Sequence, residues 1–228
     1  MKVRTLIKFL LLLTGGLCVL SAILQNFNLE FYSKPMTVPL FFMLYWFNVK
    51  KIDFLFLAIL FFCFLGDIFL LIQIERSFIF VLLSNIMCYL LIFVYLYRIN
   101  KRLVLNKVDR VYYLIFLVFW SVVAYIIYSV TEVSMGDIRP YGILYIGVLY
   151  ILLSGAVFQY TQVRSSNSLW LLIACLNFVV SDTCFALDRF YIPSLELKVI
   201  NSIYQLLAVY FLVKFKISKA DSLKLEES

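Results

Sequence analysis

Long apolar runs, broken only by short clusters of charge, proline and asparagine, recur along the whole of the 228-residue chain. A membrane-spanning helix needs about 20 such residues. The breaks predict eight helices, over 5–24, 35–49, 52–73, 77–97, 111–130, 140–159, 168–187 and 195–215. The second is the shortest, and Pro35 and Pro39 are expected close to its start, where first-turn amides have no helical partner to lose. The pattern reads as an all-α polytopic transmembrane helix bundle: one domain over 1–216 and a short polar cytoplasmic tail over 217–228.

Composition forces the same reading. Hydrophobic residues make up 64% of the chain and charged ones 14%, against about half and about a quarter in a soluble domain. A domain of this size leaves much of its surface facing solvent, so the excess cannot be hidden in one core. Lipid is the solvent that accommodates it. Lys2, Arg4 and Lys8 before the first apolar run resemble the start of a signal peptide. No small-residue cleavage site follows, and the first run is taken as a spanning helix.

Charge then orients the bundle. With the amino terminus inside, the eight spans place 15 of the 20 lysines and arginines on the cytoplasmic side and five on the other. Basic residues favour cytoplasmic loops, so both termini are expected there. The longest inner loop, about 98–110, carries five of them. The net charge of +7 is thereby explained by topology, with no basic face large enough for nucleic acid. Few loops and no targeting tail fit a bacterial inner membrane.

Other chemistry is narrowed by what the chain lacks. It has no histidine, which removes histidine-based triads, the usual zinc-hydrolase ligand sets and histidine-ligated haem. Cys18, Cys63, Cys88, Cys175 and Cys184 are isolated within apolar runs and form no C-x-x-C pair. They read as small packing residues, and no metal or other cofactor is expected.

Two carboxylates interrupt this apolar order. Asp67 lies in the third span and Asp182 in the seventh, at similar depths in the outward-facing third. An acid inside a span costs a few kcal/mol on insertion scales, so it normally faces a wet interior and marks a functional site. Near that level lie Asn85 in the fourth span, Asn177 and Ser181 in the seventh, and Asn201 and Gln205 in the eighth. Asn201 and Gln205 share a helix face, as do Asn85 and Tyr89. Lys34 marks the outer end of the second span. One polar cavity opening outward, lined by these groups, is the expectation; polar residues that merely bond helices together are the plainer alternative.

Several segments together resemble the YhhN-like, or lysoplasmalogenase, family of eight-helix membrane proteins. Lys34-Pro35-Met36-Thr37 is similar to its lysine–proline element, and Gly66-Asp67-Ile68-Phe69-Leu70 to its Gly-Asp-x-x-Leu motif. Ser181 to Ala186, with Arg189-Phe190, resembles its Ser-Asp motif, and Tyr204-Gln205-Leu206-Leu207 its last helix. Family members often carry a histidine upstream of a tyrosine matching Tyr89; here Asn85 or Ile86 stands there.

The resemblance implies an ether hydrolase that cleaves the vinyl ether bond of a lysophospholipid, a lysoplasmalogen, to a fatty aldehyde and a glycerophospho-headgroup. Such a bond is cleaved by protonating its β-carbon, which needs a carboxylic acid and an anionic partner. Asp67 and Asp182 are the expected catalytic pair, with either as the acid. Lys34 is expected on the substrate phosphate, and Asn85, Asn201 and Gln205 on water or headgroup. The alternative is a non-enzymatic transporter or lipid-binding member whose aspartates bind a cation or headgroup.

Overall fold

The computed structural model describes residues 2–72, 77–99 and 106–226. Among them the chain is all-α, with no strand. Its elements are α1 (Lys2–Leu24), α2 (Phe27–Trp46), α3 (Phe54–Leu71), α4 (Ser77–Ile99), α5 (Lys107–Met135), α6 (Arg139–Val163), α7 (Ser166–Phe190) and α8 (Leu195–Glu226). A short 3-10 turn, Gly136–Ile138, joins α5 to α6. There the chain reverses on Gly136, whose φ of 50° with ψ of −130° is a combination that suits glycine.

Among the described residues six stretches are long and apolar enough to cross a membrane, with α5 and α6 counted as one continuous stretch and α2, expected as a span, not among them. Their outer faces carry large apolar side chains exposed to the surroundings, such as Leu12, Phe54 and Val118. A water-soluble monomer rarely shows such a surface. The chain is therefore an integral membrane protein by the chemistry of its exterior.

The second helix differs from the sequence reading. It begins at Phe27 rather than near residue 35, so Pro35 and Pro39 sit in its interior. Asn26 supplies the reason, because its side chain accepts the Leu29 amide at 3.1 Å and caps a helix start. Glu30 in the first turn complements the helix dipole. The two prolines withhold the amides that would bond the carbonyls of Phe31 and Pro35. Neighbouring hydroxyls bond this stretch of backbone, Ser33 Oγ to the Leu29 carbonyl at 2.7 Å and Thr37 Oγ1 to that of Lys34 at 2.8 Å.

At the other terminus, α8 continues to Glu226 rather than ending near 215. The segment after Lys216 has neither glycine nor proline to stop a helix. The expected 98–110 loop falls partly outside the described residues, as do Lys101 and Arg102 within it.

The helices pack in two groups of four. α2 touches α1, α3 and α8, and α1 also touches α8; α6 touches α4, α5 and α7, and α5 also touches α7. The groups meet along α3–α4 and α7–α8. Fully buried side chains such as Tyr45, Phe56, Leu152, Leu171 and Leu212 fill the interior.

Ion pairs gather the helix ends. Lys216, in the second half of α8, pairs with Asp53 at the N-cap of α3, and its ammonium also donates to Tyr95 Oη of α4 at 2.9 Å. Burial pushes the Asp53 carboxyl up, but Lys216 and the Leu55 and Phe56 amides together hold it below its ordinary value. Arg164 after α6 pairs with Asp109 of α5 at 2.6 Å.

Candidate functional site

Each four-helix group encloses a cavity with one aspartate. The first lies among α1, α2, α3 and α8. It is lined by Lys34, Asp67, Gln205, Glu30, Ser202 and Cys18, with an apolar floor that includes Phe41 and Leu206. Water-sized spheres find about 30 Å³ for their centres there, room for one or two waters. Asp67 is 5% exposed. Gln205 Nε2 donates to Asp67 Oδ1 at 2.7 Å, which leaves Oδ2 for another partner. Lys34 Nζ pairs with Glu30 Oε1 at 3.2 Å, one helical turn away on α2.

The second cavity lies among α4, α5, α6 and α7, and its walls are mainly apolar. Asp182, Thr183, Asn85 and Tyr145 bring polar groups to it. Tyr89 Oη donates to Asp182 Oδ2 at 2.5 Å, and Tyr145 Oη donates to Tyr89 Oη at 3.4 Å. An aromatic cluster of Phe78, Phe185 and Phe190 forms part of the wall, with the Arg189 guanidinium 5.8 Å from the Phe78 ring.

The two cavities share no lining residue. The single outward cavity expected from the sequence is thus replaced by two, one in each helix group. Between them the groups are in direct contact. A β-carbon on Gly66 would lie 2.5 Å from Asn85 Oδ1, so the Asn85 amide sits against the bare backbone of α3. On the other seam, Ser181 Oγ donates to Asn201 Oδ1 at 2.6 Å. Cys63 and Cys88, both free thiols, meet across α3–α4 with sulfurs 3.1 Å apart. Close helix approach at Gly66 and Ser181 follows from their small side chains.

Of the residues singled out beforehand, Lys34, Asp67 and Gln205 come together in the first cavity. Asn85 and Asp182 line the second. Asn201 lines neither and bonds Ser181 on the α7–α8 seam. Asn177 is satisfied within its own helix, donating to the Ile173 carbonyl at 2.6 Å. Glu30, Ser202 and Tyr145 were missed. The i,i+4 spacing of Glu30 and Lys34 was a usable signal. Nothing in sequence separates Tyr145 from the other tyrosines of α6. Among the described residues no cluster of three or more His, Cys, Asp or Glu is arranged to hold a metal ion.

A bundle of apolar helices enclosing buried carboxylates defines a polytopic α-helical membrane protein. The chain belongs to the YhhN family, whose model matches residues 29–220. That span takes in α2 through most of α8, and with them both aspartates. No curated protein and no solved structure shows significant similarity to the chain.

Proposed function

We propose that this protein is a membrane-embedded ether hydrolase of the lysoplasmalogenase type and that its reaction runs in the Asp67 cavity. One observation carries the placement: an acid, a cation and an amide, from α3, α2 and α8, converge on one small polar cavity inside an apolar bundle. Intramembrane carboxylates of this kind are functional candidates by default. Family membership supports the class of reaction.

The chemistry follows from the hydrogen bonds. The Gln205 amide occupies Asp67 Oδ1, so a proton on the acid resides on Oδ2. Oδ2 delivers it to the β-carbon of the vinyl ether, whose π electrons form the new C–H bond. Positive charge develops on the oxygen-bearing carbon and its oxygen, beside the Asp67 carboxylate just formed. Water adds to that carbon and returns a proton to Asp67. The hemiacetal's C–O bond to glycerol then breaks, with the hydroxyl proton ending on the glycerol oxygen. The products are a fatty aldehyde and a glycerophospho-headgroup, and Asp67 is regenerated. Lys34 offers the phosphate a charge-assisted hydrogen bond, and Glu30 faces a cationic headgroup.

Asp182 acts at a distance in this reading. Its bond from Tyr89 ties α7 to α4, and the neighbouring Ser181 bonds Asn201, one turn before Gln205 on α8. The chain of contacts fixes the helix that presents the Gln205 amide to Asp67. A second placement of the same reaction has one observation in its favour: Asp182 stands on the wall of the other, roomier and mainly apolar cavity. Both termini on the cytoplasmic side of a bacterial inner membrane complete the proposal, from the distribution of basic residues.

The test is purified protein in lipid vesicles with a lysoplasmalogen, following fatty aldehyde. Aldehyde release that requires Asp67 supports the reading. Absence of release, with gradient-driven uptake of a solute instead, would replace it with a carrier.

A further inference from the structure

Gly15 and Gly16 stand side by side in the middle of α1, where each costs a helix about 1 kcal/mol relative to alanine. In membrane proteins such glycines usually let two helices approach closely. That explanation fails here. A β-carbon on Gly16 would meet nothing within 4 Å, and one on Gly15 would make only an ordinary 3.5 Å contact with Leu206.

What the glycines do form is the floor of a groove. It runs on the lipid-facing surface between α1, α2 and α8, bounded by Leu12, Val19, Phe41, Ile203, Leu207 and Tyr210. Its volume is about 560 Å³. Along α1 it extends from Val19 to Lys8, about 16 Å at the helical rise per residue. That is close to the thickness of one leaflet's hydrocarbon, half of about 30 Å. Lys8 lines the far end.

The groove adjoins the polar cavity, and Phe41 and Leu206 line both. The polar side offers Lys34 to an anion and Glu30 to a cation. The apolar side offers one chain's width of hydrocarbon surface. A two-part site of this shape fits an amphiphile with a single chain and a compact zwitterionic head.

We infer that the α1–α2–α8 groove holds the hydrocarbon chain of the single-chain lipid that reacts at Asp67, with its head at the rim of that cavity beside Lys34 and Glu30, and that Gly16 keeps the groove open. The ligand thus arrives sideways from the bilayer. This rests on the Asp67 placement above but concerns binding rather than cleavage. The family match begins at residue 29, so the glycine pair on α1 belongs to this chain outside the matched region.

The Gly16→Leu variant tests it. The new side chain enters open space, so the fold is spared, while the groove is filled. Gly147→Leu is the control, because Gly147 on α6 also has nothing within 4 Å and lies far from the groove. The probe is a saturated 1-O-alkyl lysophosphoethanolamine with a diazirine near the end of its chain, which cannot be hydrolysed as a vinyl ether. Photolabel on Leu11, Leu12, Leu207 or Tyr210, reduced about tenfold or more by Gly16→Leu and unchanged by Gly147→Leu, is the expected result. Label spread evenly over the lipid-facing helices, label indifferent to Gly16→Leu, or a cross-linked dimer through α1 would each overturn it. A chain that labels as expected yet releases no aldehyde would retain this site and lose the proposed reaction.

Discussion

Gln205 and Asp67 lie 138 residues apart in the chain and 2.7 Å apart in the bundle, the amide nitrogen of one donating to Oδ1 of the other. The contact couples α8 to α3 and decides which carboxylate oxygen is free to carry a proton. Replacing Gln205 by Leu removes the donor and leaves Asp67 with either oxygen protonated. Aldehyde release is expected to fall about tenfold, in kcat more than in KM, while Gln205→Asn retains part of the rate. Equal rates for the Leu variant and the wild type would remove Gln205 from the site. The size follows from one hydrogen bond to an ionisable group.

Lys34 is expected to act on binding. Lys34→Met should raise KM for a phosphate-bearing substrate about tenfold to a hundredfold, the worth of one charge-assisted hydrogen bond, and leave kcat near its original value. A loss confined to kcat would place Lys34 at the reacting bond instead.

The seam between the helix groups has its own test. Gly66→Ala puts a β-carbon 2.5 Å from Asn85 Oδ1, so the amide must move and the variant should melt earlier in detergent. Removing the obstruction in Gly66→Ala/Asn85→Ala should recover part of the loss, a coupling of about 1 kcal/mol for residues in contact. Additive losses would show that the two side chains do not meet.

Lys216 and Asp53 give a pH dependence with a definite sign. The folded Asp53 carboxyl titrates below its ordinary value. Its contribution to stability is therefore complete above the unfolded value of about 3.9 and disappears as pH falls through the folded one. Thermal melts of the wild type and Asp53→Asn should differ at pH 6 and converge as pH drops below about 4. A gap that persists at the lowest pH would mean that the carboxylate charge plays no part.

Much of this architecture was legible because lipid imposes a strong length rule on apolar runs. The boundaries of α4 and α6 moved by only a few residues. The start of α2 lies at Phe27 rather than near residue 35, because Asn26 caps the helix there and the two prolines fall inside it. The site was legible as residue types but not as a grouping. Asp67 and Asp182 stand out as charges in apolar runs, yet which helices surround each depends on packing that periodicity does not encode. The pairing of α1, α2, α3 and α8 around one acid, and of α4 to α7 around the other, is a property of the tertiary fold.

The most direct measurement is aldehyde release from a lysoplasmalogen in D₂O by the wild type, Asp67→Asn and Asp182→Asn, each checked for an unchanged melting profile. The expected result is one deuterium on the carbon next to the aldehyde for the wild type, and a loss of about a hundredfold to ten-thousandfold for Asp67→Asn. Asp182→Asn, which keeps an oxygen for Tyr89, should retain a clearly measurable rate. Full activity in Asp67→Asn together with silence in folded Asp182→Asn would contradict the assignment and move the reaction to the other cavity.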